Sequence, residues 1–425
     1  MKFLNFFIST LFHVWVLCPC LFFTWNAHVE AQQVITVEEV LKQTNSSIST
    51  KWIKEGLVFL DQTPQGLPYI EKLEFRSETD EFDLGRQEYL LRSSFNSSKM
   101  RKIHEQKMAL SREELLIKND NYKSSIIAEY YHQIAEWHFI EIEKQQLLEE
   151  KTILEDKKMV FQKIMNNTFD LDLEAFLKLE KNLQETLSAI VKLDHQKAFI
   201  ISQLLGDAYT TDSIQLSKTN WITIEEMYDN LIGIKGQSPQ NRILVQQQLK
   251  VDKAELEEQE EKAESQKVLD FVQIKYAGRN NLEFGNELSL GFGLNIPTRS
   301  KGRVKQNEAR LDMIEEQIEL EQLQWEVSKE LSHLNAHFDL LKKEYEVLQK
   351  YIEQNEWSAT YEKYKSTEGI DPMSLLSMKE SILKNQQQLT KIEKEATMTY
   401  LTIIKTQNAF PIDGKENILL LGKKN

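Results

Sequence analysis

The chain has 425 residues, of which 41% are hydrophobic and 28% are charged, and its formal net charge at pH 7 is −14. So acidic a chain is not expected to bind nucleic acid, because that binding depends on Lys and Arg neutralising phosphates. The length would suit two or three ordinary domains. An internal repeat instead predicts one body built from two halves.

Residues 1–31 are predicted to be a secretory signal peptide. Lys2 gives one positive charge, an apolar run follows from Phe3 to Trp25, and Val29-Glu30-Ala31 places small residues three and one before a break. A retained anchor is the alternative, disfavoured because no cationic cluster follows. Cys18 and Cys20 both lie in this segment, so the mature chain would have no thiol. No later apolar run reaches the roughly 18 residues of a membrane-spanning helix, so entry into a bilayer would have to use strands.

The rest of the chain is predicted to form two structural repeats, residues 32–220 and 221–408, followed by a tail, 409–425, to which the sequence assigns no fold. Each repeat contains a helix, a β-hairpin (69–95 or 268–296), a long helix and a return helix. The repeats align at a constant offset of 199 residues, with Leu73-Glu74-Phe75-Arg76 corresponding to Val272-Gln273-Ile274-Lys275. Each opens with a short helix capped by a threonine, Thr36 or Thr223.

Very long helices are predicted after each hairpin, since neither Gly nor Pro occurs in 86–205 or in 303–368. A turn and a return helix follow each one, at Leu173–Leu205 and Met373–Gln407, with Asp371 as the cap before the second. Apolar residues spaced alternately by four and three form a heptad seam. In the second long helix the seam is Val327, Leu331, Leu334, Phe338, Leu341, Tyr345, Leu348 and Ile352, and in the first it is Ile126, Tyr130, Gln133, Trp137, Ile140, Lys144 and Leu147.

The four hairpin segments alternate between apolar and polar residues, a period of two that is typical of strands. Their lengths are close to the 9 to 11 residues or so of a transmembrane strand. The face predicted to contact lipid contains Leu73, Phe75, Tyr89, Leu91, Val272, Ile274, Leu288, Leu290, Phe292 and Leu294. The face predicted to line a wet lumen contains Arg76, Arg86, Glu88, Arg92, Lys275 and Glu287, with Gly291 and Gly293 leaving room there.

A soluble hairpin packed on its own helices is the alternative interpretation of this alternation. If the strands do enter a bilayer, four of them cannot close a barrel, because the smallest bacterial barrels have eight strands or so. Unpaired strand edges are very costly in lipid, so several chains would have to share one barrel.

These features resemble those of the TolC-like outer-membrane efflux proteins of Gram-negative bacteria. The resemblance is carried by the tandem layout, by the strand exit Gly291 to Pro297 that leads into a basic helix start at Arg299 to Arg303, and by Tyr364 to Leu376, which is similar to that family's periplasmic helix turn. It covers about Ile35 to Gln407.

The resemblance implies a mainly α fold with a small β part, in which long coiled-coil helices and two hairpins occur as a tandem repeat. Three chains would form a 12-stranded β-barrel in the outer membrane, with outer-membrane lipid around it, and an α-helical barrel in the periplasm. The protein would be a passive exit duct of a tripartite efflux or type I secretion system. Its partners would be a periplasmic adaptor (membrane fusion protein) and an inner-membrane pump.

The resemblance also implies a constriction of acidic residues near the helix turns, where the candidates are Asp170, Asp172, Glu368 and Asp371. Helix capping is the simpler interpretation of Asp172 and Asp371. The position where the family usually has its gating aspartate holds Ser374 or Leu375, a departure that leaves the gate residues open.

No catalytic, cofactor-binding or metal site is predicted, so the chain is not expected to be an enzyme. His333 and His337 have the spacing of a helical metal pair but lack the accompanying glutamate. Two other functions remain open: a periplasmic coiled-coil scaffold or adaptor without a membrane barrel, and a degenerate channel that assembles but does not conduct.

Overall fold

The fold is built mainly from helices, as the long stretches without Gly or Pro predict. The computed structural model describes residues 33–47, 51–63, 66–79, 87–167, 173–206, 214–217, 221–237, 241–277, 288–295, 301–367, 369–410 and 418–420. In chain order its elements are β1 (Gln33–Ile35), α1 (Val37–Ser47), α2 (Lys51–Gln62), β2 (Ile70–Thr79), β3 (Gln87–Phe95), α3 (Ser98–Asn167), α4 (Leu173–Leu205), β4 (Ile214–Leu216), α5 (Ile224–Gln237), α6 (Arg242–Ser265), β5 (Leu269–Ala277), β6 (Leu288–Leu294), α7 (Lys301–Asn355), α8 (Trp357–Lys365) and α9 (Pro372–Thr406). None of the helices in these ranges combines the length and the apolar character needed to span a membrane.

Helix α3 is the centre of the helical part. It packs against α1, α2, α4, α6 and α9, and its middle is buried on several sides, with Tyr131, Ile134 and Trp137 almost fully enclosed. The single heptad seam predicted for this helix therefore understated its burial. In α7 the predicted seam is the least exposed stripe, and Phe338 and Leu341 are buried within it.

A small sheet that the sequence pattern did not predict closes the middle of the core. Strand β1 pairs in parallel with β4, and Ile35, Ile214 and Leu216 are buried there. The helices next to each strand begin with reciprocal capping boxes, as the threonine openings predicted. The backbone N–H of Thr36 donates to Glu39 over 2.8 Å, and that of Thr223 donates to Glu226 over 2.9 Å.

The C-terminal tail, which was expected to have no fold, contributes to the same core. Phe410 is 2% exposed and Leu419 is fully buried. The backbone N–H of Ile222 donates to the Leu419 carbonyl over 3.0 Å, and Leu420 forms a bridge with Trp221. The sequence assigned these residues no fold because the apolar run 418–421 is too short to show a helical or strand period.

The two hairpins form one antiparallel sheet in the order β2-β3-β5-β6. Both begin with the same irregularity, a bulge between Ile70 and Lys72 in β2 and one between Leu269 and Phe271 in β5. The helices lie in the matching order, since α2 packs on α3, α3 on α6, and α6 on α7. The chain therefore has two different open sides, one at β2 and α2 and the other at β6 and α7.

Candidate functional site: a two-faced sheet

One face of the four-stranded sheet is apolar and almost uncovered. The strand register places Phe75, Leu91, Ile274 and Leu290 in one row across it. Leu290 is 71% exposed and Phe75 is 65% exposed, whereas the helical core buries residues of the same types, such as Leu341 and Phe338. All ten residues that the alternation assigned to lipid lie on this face. Nine of them are exposed, and Val272 is half-buried. The sheet thus brings together the predicted apolar set.

The bulges add two further residues to the apolar face. Ile70 lies opposite Phe95 and Leu269 opposite Leu294, although a strict period of two would send both Ile70 and Leu269 to the other side. Sequence alternation missed them because a bulge changes which side the following residues face. The tyrosines on this face also form a row, in which Tyr89 stacks on Phe75 and on Tyr276 with ring centroids 6.1 Å and 6.4 Å apart.

The opposite face is charged and internally paired. Arg76 is 2.7 Å from Glu74, and Lys275 is 2.5 Å from Glu88 on the neighbouring strand. Arg92, on the same strand as Glu88, approaches Asp270 of β5 at 3.7 Å. Arg86 and Glu287, which were assigned to this face, lie outside the described residues.

Two apolar side chains on the charged face were not predicted. Leu90 lies in the row of Arg76 and Lys275. Phe271 lies opposite Gly293, where a Cβ would come within 2.2 Å of its ring. The guanidinium carbon of Arg92 is 3.4 Å from the centroid of the same ring. The space left by Gly293 is therefore filled by an aromatic ring held under a cation.

Asp371 caps helix α9, as predicted. Its carboxylate accepts hydrogen bonds from the backbone N–H groups of Met373 (3.2 Å) and Ser374 (3.0 Å), and from the Ser374 hydroxyl (2.9 Å). The bond from the Ser374 hydroxyl and those from the backbone lower the pKa of this exposed carboxyl. Asp170, Asp172 and Glu368 lie outside the described residues, so the acidic set is represented by Asp371.

Both open sides of the chain expose apolar residues at helical spacing. On α7 these residues recur every seven positions opposite the buried seam: Val304, Leu311, Ile318 and Trp325, all more than half exposed. On the other side α2 exposes Trp52 and Phe59, and α4 exposes Leu177, Val191 and Phe199. The two sides thus differ in composition but share an apolar stripe along the helices.

No family model and no curated protein matches the sequence. Solved structures do match the fold. A membrane protein from Pseudomonas aeruginosa superposes with a TM-score of 0.61 at 9% identity, covering 87% of this chain and 90% of that one. The outer membrane protein VceC from Vibrio cholerae gives 0.59 at 11% identity, covering 88% and 96%. The CmeC outer membrane channel from Campylobacter jejuni gives 0.58 at 10% identity, covering 93% and 92%.

These matches run almost end to end in both partners and include several outer-membrane channels. The chain therefore has the fold of the TolC-like outer-membrane channels, which confirms at the level of the fold the resemblance seen in the sequence. The expectation of a mainly helical fold with a small strand part is confirmed as well.

Proposed function

We propose that this protein is an outer-membrane channel, the passive exit duct of a tripartite efflux or type I secretion system, with its helical part in the periplasm. The observation that carries the proposal is the uncovered apolar face of the sheet, backed by a charged face. Water-soluble monomers rarely expose contiguous apolar patches above a few hundred Å² unless the patch meets a partner or a membrane. A transmembrane barrel needs these two faces, an apolar one toward lipid and a polar one toward the lumen.

The aromatic row supports the lipid assignment. Transmembrane barrels have girdles of aromatic residues at the two levels where hydrocarbon meets water. Tyr89 and Tyr276 lie side by side in one row of the apolar face, and Tyr89 also stacks on Phe75, which lies in the adjacent row with aliphatic residues such as Leu290. One girdle and the start of the hydrocarbon band would thus be built into each chain.

The two open sides support a closed ring of three copies. In lipid, the free edges of β2 and β6 would leave backbone groups unpaired, which is very costly. Because the two edges differ, the contact between copies would be head to tail, and such contacts form a ring when the rotation from one copy to the next closes. Three copies would supply a 12-stranded barrel, an even number of strands as in bacterial barrels. The same contact would place the apolar stripe of α7 against α2 and α4 of the next copy.

The helices would then form the periplasmic conduit. Helix α3 has 70 residues, which corresponds to a length of roughly 105 Å. A helical barrel of this length would reach away from the outer membrane toward a periplasmic adaptor and an inner-membrane pump, the partners that a passive duct requires. The entrance would lie at the helix turns near Asp371, where gating would occur.

The two-repeat organisation supports the same architecture. The matching bulges and the backbone hydrogen bonds that close the hairpins occur 199 positions apart: Asn96 N to Tyr69 O (3.0 Å) and Asn295 N to Val268 O (2.7 Å). Repeats 32–220 and 221–408 would therefore each supply one hairpin and one pair of long helices to the conduit, and three chains would supply six such units.

Fractionation and conductance test this proposal. We expect the protein in outer membranes as a heat-modifiable trimer, and we expect the purified trimer to give discrete conductance steps in planar bilayers. Recovery as a monomer in detergent-free buffer would favour the soluble scaffold. A stable trimer without conductance would favour the degenerate channel.

Asp371 offers a separate test of the entrance. Asn caps helices about as well as Asp, so Asp371→Asn removes the charge and keeps the cap, whereas Asp371→Ala removes both. If a ring of Asp371 carboxylates attracts cations, both variants should reduce cation selectivity equally, because acidic rings favour cations. Unchanged selectivity in Asp371→Asn would leave Asp371 as a cap alone.

A further inference from the structure

The second long helix is interrupted at one residue. Glu356 separates α7 from α8 and has φ 42° and ψ 33°, the left-handed conformation that residues other than Gly, Asn and Asp rarely adopt. Its side chain makes no capping hydrogen bond. The helix resumes at once, since Thr360 N donates to the Glu356 carbonyl over 2.9 Å. Asn355 Nδ2 donates to the Tyr351 carbonyl over 2.7 Å, a local side-chain bond in the last turn of α7.

The first repeat behaves differently at the corresponding place. Helix α3 continues without a break through Lys157, which is 199 positions before Glu356. There Lys157 forms an ion pair with Glu380 of α9. This pair belongs to a ladder between α3 and α9 whose members are seven positions apart on both helices: Glu143 with Lys394 (3.0 Å), Glu150 with Gln387 (2.8 Å), and Lys157 with Glu380.

The ladder fixes α9 to α3 in one register. A slip of one heptad in one direction would bring Glu150 opposite Glu380, which is repulsive. A slip in the other direction would move Glu380 from Lys157 to Ile164. The buried Leu383 of α9 packs in the same interval of the ladder as Ile153 and Leu154 of α3, which are also buried. Helix α9 is thus held firmly against α3 along this interval.

Helix α8 is held much less firmly. It packs on α9 and Trp357 Nε1 is enclosed, but none of its residues is buried as a whole. Within the described ranges no ion pair or side-chain hydrogen bond joins it to α9. At its far end the chain turns through Gly369, whose φ of 89° suits glycine. Helix α8 therefore lies between two backbone pivots, Glu356 and Gly369, and spans nine residues, or roughly 13 Å.

We propose that Glu356 is a two-state hinge that moves α8, with Ser366 and Thr367 at its end, while α9 stays on α3. In the state described here Glu356 is left-handed, and the chain bends between α7 and α8. In the other state Glu356 is right-handed, and α7 and α8 form one continuous helix like α3. The inference extends the proposed function, because the moving end of α8 would border the entrance of the conduit, but the hinge itself is a property of one chain.

Two opposite substitutions separate the states. Glu356→Gly favours the bent state, because glycine accepts the left-handed conformation and disfavours a helix interior. The double change Asn355→Ala, Glu356→Ala favours the continuous helix, because it removes the amide bond to Tyr351 and introduces the best helix former. Each change should shift the ratio of the two states by about fivefold to tenfold. Lys350→Gly, at an exposed position inside α7, is the matched control for glycine in a helix.

Spin labels on one chain measure the two states. Lys363 on α8 and Gln386 on α9 are both exposed and can be replaced by cysteine in a chain whose Cys18 and Cys20 are serine. With labelled chains diluted in unlabelled ones, electron–electron distance measurements should show two populations. Glu356→Gly should make the bent population dominant, and the double alanine variant should enrich the other. Lys350→Gly should match the wild-type chain, with circular dichroism confirming that all variants are folded.

Conductance recorded on the same variants distinguishes the hinge from the channel. We expect Glu356→Gly and the double alanine variant to change the opening frequency in opposite directions. If the label distances shift as expected but no variant conducts, the hinge stands and the proposed channel function fails. If the channels conduct while the label distances are the same in every variant, the hinge is refuted.

Discussion

Leu290→Lys tests the assignment of the apolar face most directly. Leu290 is in the row Phe75, Leu91, Ile274 and Leu290, and it is 71% exposed in the single chain. The substitution should therefore have little effect on packing within one chain. If this face meets hydrocarbon, a lysine at Leu290 costs up to about 2 to 4 kcal/mol, the value for the bilayer midplane, which is up to roughly 6 to 12 kcal/mol for three copies in one barrel.

Ser289 provides the matched control. It is the neighbour of Leu290 in β6, it is exposed, and it faces the charged side opposite Lys275, which is already paired with Glu88. Ser289→Lys should cost no more than about 1 kcal/mol, the effect of a like charge across two strands. The cost should also depend on depth. Leu294→Lys, at the end of β6, should cost about 0 to 1 kcal/mol if it lies near the interface.

The assay is the yield of heat-modifiable trimer in outer membranes at equal expression. We expect almost none for Leu290→Lys, near wild-type yield for Ser289→Lys, and an intermediate yield for Leu294→Lys. The double variant Leu290→Lys, Leu294→Lys should assemble no better than Leu290→Lys alone. Equal yields for Leu290→Lys and Ser289→Lys would refute the assignment of the two faces.

Three further predictions concern stability and assembly. Glu141→Gln should lower the free energy of unfolding by about 3 to 5 kcal/mol, because it leaves the buried charge of Lys197 without its partner. The side chain of Lys197 is 11% exposed and lies 3.3 Å from Glu141. Adding Lys197→Met should restore most of the lost stability in thermal unfolding. Gly293→Ala should reduce trimer yield, because its Cβ would overlap the Phe271 ring, and adding Phe271→Ala should restore it. Burial raises the pKa of Glu393, so the folded protein favours the neutral carboxyl. The stability that the neutral form contributes is present below about pH 4.5 and is lost as the pH rises through the raised pKa. Glu393→Gln should therefore raise Tm at pH 8 and leave it unchanged near pH 4.

The elements best predicted from the sequence were those whose periodicity is long or whose ends carry a cap. The return helix α4 has the predicted bounds Leu173–Leu205, and α9 begins at the predicted cap Asp371. The alternation in the hairpins placed ten apolar residues on one face. In each case a local rule, such as capping chemistry or side-chain period, agrees with the tertiary packing, and the rule alone is then sufficient.

The elements that were missed lack such a rule. Strands β1 and β4 have three residues each, too few to show a period, and they exist because the core encloses Ile35 and Ile214. The break at Glu356 has neither Gly nor Pro beside it, so the sequence predicted one continuous helix there. Phe271 follows the alternation onto the charged face with Gln273 and Lys275, but an apolar residue on that face departs from the polar pattern, so the alternation gave it no role.

The bulges give physical meaning to the repeat. A slip of one residue exchanges the two faces of a strand, so an apolar residue beyond the slip would end on the charged side. Strict alternation would place Ile70 and Leu269 on the charged side. In both hairpins a bulge next to the first residue of the strand places them on the apolar face instead. A hairpin folded back on its own helices would not need an apolar surface that extends to the end of the strand. A barrel in a bilayer does, because its apolar band has to reach about 25 Å on every strand.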